Sequence, residues 1–191
     1  GFTITNGSST NGGGIINDQS SSATLKNLIV TNNTASGYGG GIYVSGNSSE
    51  IQSCIVKNNQ GFIGGGIGFS SSSSGKVENS VIVSNTMAYD GSQTGNRGGS
   101  GIFIDNSTIE ISNSTISDNK LSSQGTGGVF GMNTVSVNFN NSIIWGHSGY
   151  QVYFGSTGND AAAITVNNTC SQGTEFLDTS YDVIPAYGFG V

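Results

Sequence analysis

Leu25-Lys26-Asn27-Leu28-Ile29-Val30-Thr31-Asn32-Asn33 returns further along the chain as Ile51-Gln52-Ser53-Cys54-Ile55-Val56-Lys57-Asn58-Asn59, and again as Val77-Glu78-Asn79-Ser80-Val81-Ile82-Val83-Ser84-Asn85. Such a repeat marks a stacked architecture, in which one unit cannot bury its apolar face alone and does so against its neighbours. The frame continues at Ile111 through Asn119 after a step lengthened by an insert, and at Phe139 through His147 after one closer to the basic period. Stepping back from Asn33 reaches Gly7, and stepping forward from His147 reaches Gly173.

Between frames lies a second motif: Gly12-Gly13-Gly14-Ile15, Gly39-Gly40-Gly41-Ile42, Gly64-Gly65-Gly66-Ile67, Gly99-Ser100-Gly101-Ile102 and Gly127-Gly128-Val129. Each reads as a tight turn feeding a strand, where glycine takes positive φ without strain and lets backbones approach. The frame also fits a leucine-rich repeat, but that horseshoe needs leucines or a helical segment in the second half of each unit. Here the second half is glycine followed by β-branched and aromatic residues.

The expected fold is therefore all-β: a single-stranded right-handed parallel β-helix (solenoid) of about seven coils with a period of about 26 residues. One domain spans residues 1–191, with coils near 1–22, 23–49, 50–75, 76–108, 109–136, 137–162 and 163–191. The start at Gly1-Phe2-Thr3-Ile4 reads as the middle of a strand in a mature or trimmed product. Composition agrees: charged residues make up 8% of the chain against roughly 25% in ordinary soluble proteins, and there is one proline. The net charge of −6, with five dispersed basic residues, offers no footprint for nucleic acid, and no apolar run is long enough for a transmembrane helix.

The pairing of Gly40-Gly41-Ile42 with Val30-x-x-Asn33 resembles the right-handed β-helix repeats of bacterial polymorphic outer-membrane proteins and related secreted surface proteins. The resemblance covers about residues 1–147 and departs from the pattern at Gly7, His147 and Gly173, which stand where the motif has asparagine. It implies a secreted, extracellular or cell-surface location and structural or adhesive work.

Alternation across strands sorts the side chains. Two adjacent columns are expected inside, Phe2, Leu28, Cys54, Ser80, Ser114 and Ile4, Val30, Val56, Ile82, Ile116, Ile144; a further inward column is Ile15, Ile42, Ile67, Ile102, Val129, Val152. Asn33, Asn59, Asn85 and Asn119 form a structural ladder at a strand end, with His147 next in line. Three columns are expected outside. Thr24, Glu50, Lys76 and Glu110 suggest cross-strand ion pairs between Glu50 and Lys76 and between Lys76 and Glu110. Ile29, Ile55, Val81 and Ile143 make an apolar association stripe, and Tyr43, Phe103, Phe130 and Tyr153 an aromatic ladder able to meet a ligand or partner.

Cys54 and Cys170, four coils apart, read as separate buried thiols. The glycine turns lack the aspartates of calcium-binding β-rolls, and nothing implies a cofactor or metal. Sequons at Asn6, Asn32, Asn47, Asn106, Asn113, Asn140 and Asn167 are expected by chance in so asparagine-rich a chain. The insert Ala88 to Arg97 supplies Tyr89, Asp90 and Arg97 as candidate contacts for a sugar or another chain. Because the acidic residues are scattered over coils, the expected role is a non-enzymatic structural or adhesive module that self-associates, by its stripe or head to tail as a filament subunit, or packs on neighbouring domains. The alternative is a carbohydrate-binding or polysaccharide-cleaving β-helix, with a glycan as partner.

Overall fold

A strand repeating at a fixed period has its best hydrogen-bonding partner in the next copy of itself, and in this chain that pairing is made on four faces. The computed structural model describes residues 1–19, 21–88, 98–121, 127–155, 162–172, 175–178 and 184–185. One turn runs through Thr24–Lys26, Ile29–Thr31, Thr34–Tyr38 and Ile42–Ser45, and each of these strands pairs in parallel with its counterpart in the next turn. The result is a parallel β-solenoid with four sheets.

The charged sheet holds Thr24–Lys26, Ser48–Gln52, Ser74–Glu78, Thr108–Ser112, Val135–Asn140 and Ala162–Asn167. The stripe sheet holds Thr3–Thr5, Ile29–Thr31, Ile55–Lys57, Val81–Val83, Thr115–Ser117, Ile143–Trp145 and Cys170–Ser171. The short sheet holds Ser8–Ser9, Thr34–Tyr38, Gln60–Ile63, Thr86–Met87 and Lys120–Leu121. The aromatic sheet runs from Ile15–Asp18 through Ile42–Ser45, Ile67–Ser70, Ile102–Asp105, Val129–Met132 and Val152–Gly155 to Glu175–Asp178, where Ile184–Pro185 adds the one antiparallel pairing among the described residues. No described helix is long and apolar enough to cross a membrane.

The expected register is observed from Ile4 to Ile144: Ile4, Val30, Val56, Ile82, Ile116 and Ile144 are consecutive partners, and the lengthened step between Ile82 and Ile116 is absorbed without a slip. Three expectations change. The count of about seven coils becomes about five turns, because the short sheet has five strands among the described residues. Where its sixth would lie, Gly149 adopts positive φ and bends the chain out of strand geometry. Next, the last step overshoots the basic period by a single position, pairing Ser171 with Ile144 and Cys170 with Ile143. Such a shift flips a side chain to the other face, so Cys170 is exposed while Cys54 is buried as expected. Finally Phe2, assigned to the interior, is 79% exposed, because no described turn lies beyond it to cover its ring.

The core is a continuous cluster from Val30 to Phe154 in which each turn stacks Ile, Val and Phe on the same residue types above and below. Large rings are accommodated by glycine opposite them: a Cβ on Gly75 would lie 2.8 Å from the Phe69 ring, and one on Gly131 would lie 2.4 Å from that of Phe154. The corners are where the chain is most constrained. Each complete turn changes direction four times, and at nearly every corner one residue takes the left-handed conformation. Asn27, Ser53, Asn79, Asn113, Asn141 and Asn168 do so between the charged and stripe sheets, and Asn32, Asn58, Ser84, Asp118 and Gly146 between the stripe and short sheets. Asparagine tolerates this region better than other non-glycine residues.

The residue after each such corner turns inward and closes the backbone. At the second corner Asn59 Nδ2 donates to Val30 O (2.9 Å) and to Asn85 Oδ1 (3.0 Å), Asn59 N donates to the same Oδ1 (3.0 Å), and Asn33 and Asn85 repeat the pattern. At the first corner hydroxyls do the same work: Cys54 N donates to Ser80 Oγ (3.1 Å), Ser80 N to Ser114 Oγ (3.2 Å), Ser114 N to Ser142 Oγ (3.2 Å) and Ser142 N to Thr169 Oγ1 (3.3 Å). A third, shorter column at the corner after the aromatic sheet carries Gly46 N to Ser73 Oγ (3.0 Å) and Ser73 N to Ser107 Oγ (3.2 Å).

Asn85→Ala should destabilise the fold by about 3 kcal/mol or more in chemical denaturation, because it takes away the acceptor shared by the buried Asn59 N–H and the Asn59 side-chain amide. Gly65→Ala should be at least as damaging, since its Cβ would sit 2.4 Å from Thr86 O and 2.6 Å from Ser100 O, both rigid backbone atoms of adjoining segments.

Candidate functional site

A parallel solenoid presents columns of side chains at the strand spacing, about 4.8 Å, so a candidate site here is a face and not a cleft between domains. Of the three outward columns expected, the structure places two outside. The aromatic one is covered. Tyr43, Phe103 and Phe130 are buried and Tyr153 is half-buried. At Gly39 (φ +64°) the chain doubles back, and the residues before such corners, Tyr38 and Ile63, pack on the outer face of the aromatic sheet.

Together these residues make a second, smaller core. Phe103 stacks on Phe130 (ring centroids 6.0 Å apart) and Phe130 on Tyr153 (5.7 Å). Gly68 interrupts the column between Tyr43 and Phe103, and Tyr38 supplies the missing ring, 6.0 Å from one and 5.6 Å from the other. The hydroxyl of Tyr43 is held by Ser70 Oγ at 2.6 Å. Stacked rings of this kind add about 0.5–1.5 kcal/mol per pair beyond area burial. The aromatic ladder is thus packed into this second core, with Tyr153 keeping part of its surface exposed. Tyr89, Asp90 and Arg97 lie outside the described residues.

The apolar stripe is where it was expected. Ile29, Ile55, Val81 and Ile143 are 37–47% exposed on the outer face of the stripe sheet, in one column interrupted by Thr115. Sequence reasoning missed Trp145, 48% exposed on the same strand as Ile143. Its position two residues along the strand puts it on the same face.

The charged sheet carries the other outward feature. Thr24, Glu50, Lys76 and Glu110 are register partners, as expected, but only one of the two ion pairs forms. Lys76 Nζ turns to Glu110 at 3.3 Å, whereas Glu50 accepts a hydrogen bond from Gln52 Nε2 at 2.9 Å. Lys76 has one ammonium and two flanking carboxylates, and both partners of the formed pair are well exposed, so the pair adds little stability. Beside this column runs a second of short side chains, Ser48, Ser74 and Thr108. Short against long produces an open groove of about 490 Å³, extended at one end by Ser22 and Ala23.

The asparagine ladder is structural, as expected, and His147 is its last member among the described residues. Its Nδ1 accepts from Asn119 N at 3.1 Å, and its own backbone N–H donates to Gln151 Oε1 at 3.3 Å. Its Nε2 is buried without a hydrogen-bond partner and packs against Gly128. Asp18 and Asp105 stand at strand ends of the aromatic sheet and Asp118 at a corner, so these carboxylates do not converge. Among the described residues no group of three or more His, Cys, Asp or Glu gathers. Comparison with protein-family models, with curated proteins and with solved structures returns no match for the chain.

Burial lowers the His147 pKa from 6.5 to about 4, and the accepting Nδ1 requires the neutral ring. Because the folded-state value lies below the unfolded one, this contribution to stability is complete above pH 6.5 and is lost progressively as pH falls to about 4. The loss should be on the order of 3 kcal/mol in urea titrations at successive pH values. In His147→Asn, which restores the residue type of the ladder, that part of the pH dependence should vanish.

Proposed function

We propose that the chain is an extracellular structural module of the surface-protein type, a rigid solenoid that associates side by side with a second copy through its apolar stripe. The observation that carries this reading is the distribution of exposed large apolar residues. Eight are found among the described residues, and five of them, Ile29, Ile55, Val81, Ile143 and Trp145, share the outer face of one sheet. The face has no acidic side chain in its two outward columns and a single basic one, Lys57, so two copies meet there without like-charge conflict. Aligned sheet-on-sheet packing joins such faces about 10 Å apart, and a two-fold arrangement places each column against its own copy.

Area sets the strength. Seven strands at ~4.8 Å spacing and three residues of width give a strip of roughly 300 Å² per copy, well below the ~800 Å² per partner of a standard stable interface. Association is therefore weak between free copies, and strong only where many copies are held alongside one another, as on a surface. The resemblance of the repeat to bacterial polymorphic outer-membrane proteins supports the extracellular setting.

Sedimentation of the purified chain over micromolar to millimolar concentrations should show reversible, concentration-dependent growth in mass, and Ile55→Lys should abolish it without lowering thermal stability. A chain that stays monomeric throughout that range would overturn the proposal.

A further inference from the structure

The groove on the charged sheet lies on a different face from the stripe and takes no part in the proposed association. We propose that it binds an extended glycan whose sugar units carry free amino groups, laid along the solenoid axis across successive turns.

Shape is the first argument. The floor is a column of short hydroxyl side chains, Ser48, Ser74 and Thr108, and one wall is the long column Glu50, Lys76 and Glu110. A channel made from columns runs perpendicular to the strands, across several turns, so its natural occupant is a linear polymer. Its volume of about 490 Å³ falls within the range of small-ligand sites.

Chemistry is the second. One hydroxyl is presented per turn, at a repeat of about 4.8 Å, close to the advance of one pyranose unit in an extended chain. Ser48 Oγ and Ser74 Oγ share a single hydrogen bond of 2.6 Å. Each hydroxyl has one donor and two acceptor positions, so the pair retains capacity for both donating and accepting, the mixture that sugar hydroxyls require. A peptide would need a sheet edge for its backbone, and this face has none in its middle turns.

Charge is the third. Lys76 is engaged by Glu110, and Glu50 is held only by the neutral amide of Gln52. The groove is left with one uncompensated carboxylate beside a row of hydroxyls, and the chain as a whole carries a net charge of −6. Polyanionic glycans are repelled from such a surface, while an ammonium on a sugar ring finds Glu50. With no aromatic platform in the groove, binding rests on hydrogen bonds and this charge.

The experiment is calorimetric titration of the full chain at low salt with glucosamine oligomers, their fully N-acetylated counterparts and uronate oligomers. Glucosamine oligomers should bind, and acetylation should weaken binding by about tenfold or more, as expected when a hydrogen bond to a charged group is lost. Glu50→Gln should do the same, and Ser74→Val should weaken all amine-bearing oligomers while leaving the far-ultraviolet spectrum unchanged. Equal binding of acetylated and free-amine oligomers, indifference to Glu50→Gln, preference for uronates, or equal affinity for lysine oligomers would each overturn the proposal. A monomeric chain that still binds glucosamine oligomers separates this inference from the association reading.

Discussion

Everything in this structure depends on closing the backbone at the corners. A solenoid with four sheets turns the chain four times in each complete turn, and every turn leaves peptide groups that face the interior and not a strand partner. An unpaired peptide group away from water costs about as much as a whole side-chain interaction contributes. The solution is local and repeated: a residue in the left-handed region reverses the chain, and the next side chain turns inward to pair with the backbone of the adjoining turns. Asn59, with its amide donating to Val30 O and its carbonyl oxygen accepting from Asn33, bonds to the turn on one side while Asn85 Oδ1 accepts from it on the other. Serine serves where space is smaller, as at Ser80 and Ser114.

This constraint explains the composition. The abundance of Asn and Ser reflects the demands of tolerating positive φ and of hydrogen bonding inside a narrow core, and sequons such as Asn113-Ser114-Thr115 combine a left-handed corner residue with a ladder residue. It also explains why His147 is tolerated in the ladder. An imidazole offers one acceptor to Asn119 N, as an asparagine carbonyl would, but it leaves Nε2 without a partner. With the interior committed to core and ladders, the outer faces are where any partner must be met, and they are chemically distinct: apolar on the stripe sheet, hydroxyl-rich and mildly acidic on the charged sheet.

How legible these faces were differs in an instructive way. Column membership is readable wherever the period holds, so the repeat alone groups Ile29 with Ile55 and Val81, and Glu50 with Lys76 and Glu110. What a column faces was less readable. Tyr43, Phe103 and Phe130 alternate outward from their sheet, yet they are buried, because the segments containing Tyr38 and Ile63 cross that face. Gly68, placed between Tyr43 and Phe103, was the available signal: a gap in an aromatic column implies a ring arriving from elsewhere.

By itself the sequence determined the all-β stacked architecture, the register from Ile4 to Ile144 and the asparagine ladder, because a fixed repeat period and an inward asparagine each have one consistent arrangement when identical turns stack. The tertiary structure alone decided the number of sheets per turn, the burial of the aromatic column, the partner chosen by Lys76 and the outward side of Cys170. Those depend on how far each corner swings the chain and on a single residue in the length of the last turn, quantities set by packing between segments that no periodicity records.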